Sequence, residues 1–594
     1  MLGTYVSLAL ILGASLVVGQ AIFCACGQRG RSPLAPAAGL GLLCAAAWLA
    51  TDLAGSAWAG LAASAALTLA GAVVLRSKPA RGSVEGALPA VVGAILLGSL
   101  PFLIEMRFGI LGTSLNPDMS QHLFATDRIA NGGEERLIAE GYPLGPHALV
   151  AALSKLGISF VHGFGGLMLA IAAATTLAPL ALLGHLERPR RILVALLVGA
   201  AYLAASYFIQ GAFKETMQAL FVLAFAVGLA DLAAGNGSVD EDGRHRRLRA
   251  VPLAALAIGS LYAYSFPGLT WLVGTLGVFA VAEVVRTRSV ACLRAAIVPA
   301  AIAGAAVAVA AAPEIPRMLD FASFETFDPD GAGLGNLFNP ISPLEALGIW
   351  PSGDFRLDPG AGFAPAFAFY VGGAVAALAL LLGLVRAWQA GETALASALV
   401  AGAVLYVYAL AAGTPYQEAK ALAVIAPVAM LIAARGCLEE TPRLKTLRNA
   451  PARLLAVPAL ALAFLAGTAG SSALALVNGP VGPESWTPAL LDFSAQLSDD
   501  DVVLAVVDDE LAAQNGHDLV TWELRGREVC VVSHSDVAAS TVSGKAFSAV
   551  VVIGELEQPL PVVGRLAELE RATSGGLEYT GYRARLTGAD PDCP

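Results

Sequence analysis

Charge is what this sequence has least of. Asp, Glu, Lys and Arg make up 14% of its 594 residues, against about 25% in an ordinary soluble domain. Lysine is scarce even beside arginine. With 57% of the residues apolar, most of the chain must face something other than water, which excludes a purely soluble protein. Cysteine is sparse too: the seven are scattered without the paired spacings of a metal array. The formal charge of -10 is a poor guide to partners, because basic residues cluster in short loops while acids collect in longer loops and the C-terminal domain; no nucleic-acid partner is expected. A basic n-region is missing from the first apolar segment, and many more such segments follow. That segment therefore reads as a retained helix rather than a secretory signal.

What is present is a series of apolar runs of about 20 residues, the length that crosses a hydrocarbon core. Ile192 to Ile209, Ala295 to Ala312, Ala366 to Val385 and Leu454 to Val477 are examples. Counted together, they predict a mostly α polytopic membrane protein of about fourteen transmembrane helices. Basic residues cluster at Arg29 to Arg31, Arg76 to Arg81, Arg188 to Arg191, Arg244 to Arg249, Arg286 to Arg294, Arg386, and Arg435 to Arg453. If these loops are cytoplasmic, and Ala148 to Leu183 crosses only once, every second loop is cytoplasmic. The N-terminus, the loops 104–145 and 313–365, and the tail from about 478 are then extracytoplasmic.

The tail changes character. Charges return, and short β-branched runs appear at Val502 to Val507, Val529 to Val532 and Ala549 to Ile553, with a helical pattern at Val562 to Ala572. This predicts a small α/β domain over 478–594 with a sheet of three or four strands. Val507-Asp508-Asp509-Glu510 is acidic where a nucleotide-binding turn would carry glycines, so an accessory or carbohydrate-contacting role fits better. Cys24, Cys26, Cys44, Cys292 and Cys437 read as apolar fillers. Cys530 and Cys593 lie where an oxidising exterior permits a disulfide.

The two long outer loops are candidates for function. In the first, Asn116 reads as an N-cap and Pro117 as the first helical residue, placing Asp118 in the first turn and His122 one turn below on the same face. Asp118 can equally serve only to complement the helix dipole. Gly141-Tyr142-Pro143-Leu144-Gly145-Pro146-His147 then forces a tight entry that fixes where Tyr142 and His147 point, or is simply a turn with an interfacial Tyr and a solvated His. Lys214 and Glu215 interrupt an apolar region as an ion pair or as a contact for a polar ligand. Tyr416-Gln417-Glu418-Ala419-Lys420 opens another span. A cation at a helix N-terminus is disfavoured by the dipole, unless an anion binds there or the side chain snorkels to the headgroups.

Taken together, the acidic first outer loop with Asp118, the Tyr142 to His147 motif, Lys214-Glu215 and the Tyr416 to Lys420 motif resemble the GT-C class of membrane glycosyltransferases, in particular uncharacterised actinobacterial members. The resemblance covers roughly residues 86–476 as a transmembrane core. Residues 1–85 form three additional helices, whereas the class usually begins with the helix that precedes the catalytic loop.

The resemblance implies an inverting transfer of a sugar from a polyprenyl-phosphate donor to a cell-envelope glycan or lipid acceptor at the outer face, as part of cell-wall biogenesis. It implies Asp118 as general base, with His122, Tyr142, His147, Lys214, Glu215, Tyr416, Glu418 and Lys420 in the substrate-binding set. No cofactor is required, and a divalent metal stays open. The partners implied are the polyprenyl-linked donor, the glycan or glycolipid acceptor and membrane lipids. A transporter or flippase for a polar lipid or solute would use the same charges without a base, but typically shows internal repeats, and no clear one is visible. A non-catalytic cell-envelope scaffold is the third reading.

Overall fold

A computed structural model describes the chain except for residues 114, 117, 134–135, 235–242, 325–326, 328–332, 440–450, 483–489, 491–492, 499–500, 509–515, 526, 534, 536–546, 555–566, 575–576 and 584–594. Pro117, Glu134, Glu135, Cys593 and most of the basic stretch before Arg453 thus lie outside the described residues.

The membrane part begins with α1 (Leu2–Ala25), α2 (Ala35–Ala54), α3 (Ala57–Ser77) and α4 (Ala87–Ile104). The first long loop carries α5 (Asp118–Asn131) and α6 (Arg136–Ala139) and leads into α7 (Gly145–Ser154) and α8 (Phe160–Leu177). Then come α9 (Arg188–Gly199), α10 (Tyr202–Ile209), α11 (Phe213–Ala234), α12 (Gly243–Leu248), α13 (Val251–Thr287), α14 (Ala291–Ala311) and α15 (Ile315–Phe321). After the second long loop follow α16 (Ala366–Ala390), α17 (Ala394–Ala412), α18 (Pro415–Leu438) and a last membrane helix, Pro451–Val477. The chain is a multi-pass membrane protein.

Among the described residues, twelve helices are long and apolar enough to cross a membrane, or thirteen if α9 and α10 count as one span bent by 50°. This count does not confirm the expected fourteen. The run Ile192 to Ile209 is the broken one, interrupted between Gly199 and Tyr202. At ten residues α7 is too short to span, so 145–177 holds one crossing, in α8. Helix α13 breaks at Ser265, where φ is 58° and ψ -155°, two residues before Pro267. A Cβ on Gly268 would lie 2.5 Å from Ser260 Oγ. Eight residues of straight helix would separate the two by about 12 Å, so the chain folds back at Ser265.

Helices α1 and α2 approach so closely that a Cβ on Gly39 would meet the Ser15 carbonyl oxygen at 1.8 Å. Small residues allow this contact between backbones in a membrane. The three N-terminal helices share the bundle's apolar core, with α1 against α8 and α2 against α13.

The basic loops gather at one end of the bundle. Arg81 N–H donates to Arg29 O at 2.7 Å, Arg191 pairs with Glu85 at 3.0 Å, and Arg435 pairs with Glu392 at 2.6 Å and also with Glu439. His185 reaches Glu439 at 2.9 Å, and Arg286 pairs with Glu283, which also accepts from Thr393. The first long loop, the second loop and the start of α18 meet at the opposite end.

The C-terminal domain holds a five-stranded sheet of order β2-β1-β3-β5-β4. The strands are β1 (Val502–Val507), β2 (Glu528–Ser533), β3 (Ala549–Ile553), β4 (Ala567–Ser574) and β5 (Leu577–Arg583), with the helix Gly516–Glu523 between β1 and β2. β1 to β3 are parallel, while β5 runs antiparallel to both β3 and β4. The sheet therefore has five strands rather than three or four. The helix expected over Val562 to Ala572 is also overturned, because 567–572 lie in β4. The local helical pattern loses to pairing with β5, and the Gly575-Gly576 dipeptide between the two strands in sequence was the hairpin cue. Cys530 in β2 is disulfide-bonded. The domain packs its helix Gly516–Glu523 on α5.

Candidate active site

Helix α5 starts where the sequence says it should: Asn116 Oδ1 accepts the Asp118 N–H at 3.0 Å, the bond of an N-terminal cap. One turn apart on that helix, Asp118 and His122 face one cavity together with Lys214 and Glu215 from the first turn of α11 and Tyr416 and Lys420 from the start of α18. Six of the nine candidate residues line it. Lys214 and Lys420 are two of the six lysines in the whole chain.

Asp118 is half-buried and accepts a long hydrogen bond from the Tyr416 hydroxyl at 3.4 Å. The Tyr416 ring is fixed from behind by Gly335, whose φ of +57° suits glycine and where a Cβ would lie 2.7 Å from the ring. Lys420 Nζ sits 3.9 Å from the centre of the Tyr416 ring and 3.4 Å from Glu215 Oε1. The Lys214-Glu215 ion pair considered from sequence is thus replaced by a pairing of Glu215 with Lys420. The Lys214 ammonium lies 3.9 Å over the Tyr142 ring, in the field of Glu215, Lys420 and Asp118. Tyr264, at the α13 break, lies in the field of Glu215.

Tyr142 and His147 stand one layer behind the cavity. Tyr142 carries Lys214, and its carbonyl accepts from Arg317 at 2.6 Å. His147 Nε2 lies 3.1 Å from His122 Nδ1. Burial holds both imidazoles neutral: His147 is pushed down to about 3, with Arg317 adding to the effect. His122 falls well below the usual range through burial, then His147, Lys214 and Lys420. Neither ring is then a cation at pH 7, so the carboxylate of Asp118 draws no charge support from them. Glu418 is not brought to the cavity and instead lies in the field of Tyr406 on α17.

Sequence reasoning assigned no role to Asn116 beyond capping, and none to Tyr207, Gln210 or Asn336, all of which line the same cavity. Gln210 was visible as a polar residue in an apolar run. Asn336 carried no cue, since only the fold of the second loop brings it here. Among the described residues, no three His, Cys, Asp or Glu side chains converge on a metal position. A separate, mostly apolar groove lies alongside, lined by Leu97, Ile171, Leu196, Phe208 and Pro427 among others, and by Thr216 next to Glu215.

Neither a family model nor a curated protein matches the sequence. Solved structures do share its architecture. Arabinofuranosyltransferase AftD from mycobacteria superposes with a TM-score of 0.52 at 15% identity, over 86% of this chain and 40% of that one. This chain thus spans about two fifths of that protein's length. ArnT from Cupriavidus metallidurans, solved bound to undecaprenyl phosphate, gives 0.50 at 14% identity over 86% of this chain and 100% of ArnT. Its apo form gives 0.50 at 13% identity over 85% and 98%. Over most of its length the chain thus shares the fold of these proteins, the fold of the GT-C membrane glycosyltransferases.

Proposed function

We propose that this protein moves a sugar from a polyprenyl-phosphate donor to a cell-envelope glycan or lipid acceptor on the outer face of the membrane, with inversion at the sugar carbon. The observation that carries the reading is one cavity holding a half-buried carboxylate, Asp118, beside two lysines, in a fold shared with an arabinofuranosyltransferase and with a protein solved with undecaprenyl phosphate. Under the positive-inside rule the arginine-lined end of the bundle is cytoplasmic. The cavity and the C-terminal domain then face outward.

In this reading, Asp118 accepts the proton of the acceptor hydroxyl as its oxygen attacks the anomeric carbon. The bond from that carbon to the phosphate oxygen breaks on the opposite side. The polyprenyl phosphate leaves as an anion, its charge met by Lys214 and Lys420, so no acid is needed to protonate it. The Tyr416 hydroxyl holds Asp118, and His122, neutral and backed by His147, offers a ring nitrogen for orientation.

Asp118→Asn keeps the helix start while removing basicity. General-base assistance is worth about 10²–10⁴-fold, so transfer by the purified variant should fall at least about a hundredfold with polyprenyl phosphate still bound. Near-normal transfer in a folded variant would rule out this base. Asp127, Glu134 and Glu140 would be tested next. Lipid translocation without any transfer would favour the flippase reading instead.

A further inference from the structure

The cavity is chemically two-sided. Lys214, Lys420, Glu215 and Asp118 supply its charge, whereas Asn116, Tyr207, Gln210 and Asn336 supply neutral hydrogen-bonding groups. This neutral set is built from three separate segments. Asn336 Nδ2 donates to Gln210 Oε1 at 2.6 Å and to Leu115 O at 3.2 Å. Arg356, from the same loop as Asn336, donates to Leu115 O at 3.0 Å and is held by Asp354 at 2.7 Å. Asn116, Tyr207 and Gln210 are buried.

The hydrogen bonds already made determine what is left over. Asn116 spends its carbonyl oxygen on the Asp118 N–H, which leaves its amide donor. Asn336 spends its donor, which leaves its carbonyl oxygen. The Tyr207 hydroxyl, able to donate or accept, has no side-chain partner among the described residues. A donor, an acceptor and a hydroxyl in one cavity match sugar hydroxyls, each of which both donates and accepts. Of the carboxylates, Glu215 is paired with Lys420, and Asp118 takes a long hydrogen bond from the neutral Tyr416 hydroxyl. Among the described residues lining the cavity, these are the carboxylates present. An ammonium-bearing sugar would lie beside two lysines, with the Glu215 carboxylate already paired. A carboxylate-bearing sugar would lie beside Asp118 and against a neutral wall, with the lysines taken up by the phosphate.

We infer that Asn116, Tyr207 and Asn336, with Gln210 holding Asn336 in place, form the subsite for the sugar of the donor and select an uncharged sugar. This rests on the glycosyltransferase reading. The sugar is bonded to the phosphate and so must lie next to the lysines.

The test uses the full-length protein and three synthetic probes of one chain length: polyprenyl phosphate, the same lipid bearing a neutral pentose, and the same bearing its amino-deoxy counterpart. Wild type should bind and turn over the neutral donor at least about tenfold better than the amino donor, since an unpaired charge in a hydrogen-bonding site is strongly rejected. Asn336→Ala should weaken binding of the neutral donor while leaving the sugar-free lipid unchanged. Asn336→Asp should move the preference towards the amino donor by about tenfold or more. Equal or better use of the amino donor by wild type overturns the inference, as does an Asn336→Ala loss that is the same for the sugar-free lipid. If neither donor is turned over, the glycosyltransferase reading fails, and the binding ratios still decide whether the wall selects a neutral sugar.

Discussion

Lys420 Nζ lies 3.4 Å from Glu215 Oε1, and this contact ties the second turn of α18 to the first turn of α11 at the edge of the cavity. With side-chain exposures of 14% and 5%, neither charge has water to fall back on. Glu215 offsets the dipole's disfavour of a lysine near a helix N-terminus, a role the sequence left to a bound anion.

Removing one member of such a pair should therefore cost more than removing both. Breaking a buried pair typically costs about 3–5 kcal/mol, because the survivor is left uncompensated. Lys420→Met and Glu215→Gln should each lower the melting temperature in detergent, and the double variant should recover part of the loss. Strict additivity of the two single effects would show that the pair does not couple.

The two buried histidines set a pH dependence. A histidine whose folded pKa is depressed contributes stability that is present above its unfolded value, near 6.5, and lost as pH falls towards the folded value. For His147 that window runs down to about 3, and His122 shifts in the same direction. Thermal stability should decline as pH is lowered from 6.5. His147→Phe should flatten the decline, whereas an unchanged slope in that variant would show that His147 titrates normally.

Trp522 belongs to the soluble domain in sequence but to the membrane bundle in packing. It is 3% exposed within the bundle's core cluster, edge-on to Phe160 with ring centroids 6.1 Å apart, and Arg525 lies 3.8 Å over its ring. Arg525 in turn faces Asp127 of α5. Burying a tryptophan so completely is worth about 3–5 kcal/mol on truncation. Trp522→Ala should raise hydrogen exchange across α5, residues 118–131, and slow transfer. Trp522→Phe should restore much of both. Unchanged exchange in α5 would mean that the domain does not brace the helix carrying Asp118.

Topology has a direct check at Ser535, which is exposed. A cysteine introduced there should react with a membrane-impermeant reagent in intact cells, because the arginine loops lie at the other end of the bundle. Reaction only after permeabilisation would invert the topology and move the proposed chemistry to the cytoplasm.

Much of this protein was decided by the sequence itself. Apolar runs of spanning length follow from the thickness of the hydrocarbon core, and short arginine-rich stretches in every second loop follow from the cost of moving cations across it. Local rules also placed Asp118 and His122 on one helical face, since Asn116 needs only its own neighbours to cap α5. Where two distant segments compete, the sequence was silent or misleading. Nothing local says that Glu215 prefers Lys420, some two hundred residues away, over the adjacent Lys214. Side chains at successive positions of a helix point to different faces, whereas α11 and α18 are brought side by side by the bundle. The same holds for Asn336, delivered by a loop held through Arg356, for the reversal of α13 at Ser265, and for Ala567–Ser574, whose helical pattern yields to pairing with β5. Spans and first turns are properties of the chain. The pairing of charges, the neutral wall and the sheet edge are properties of what packs against it.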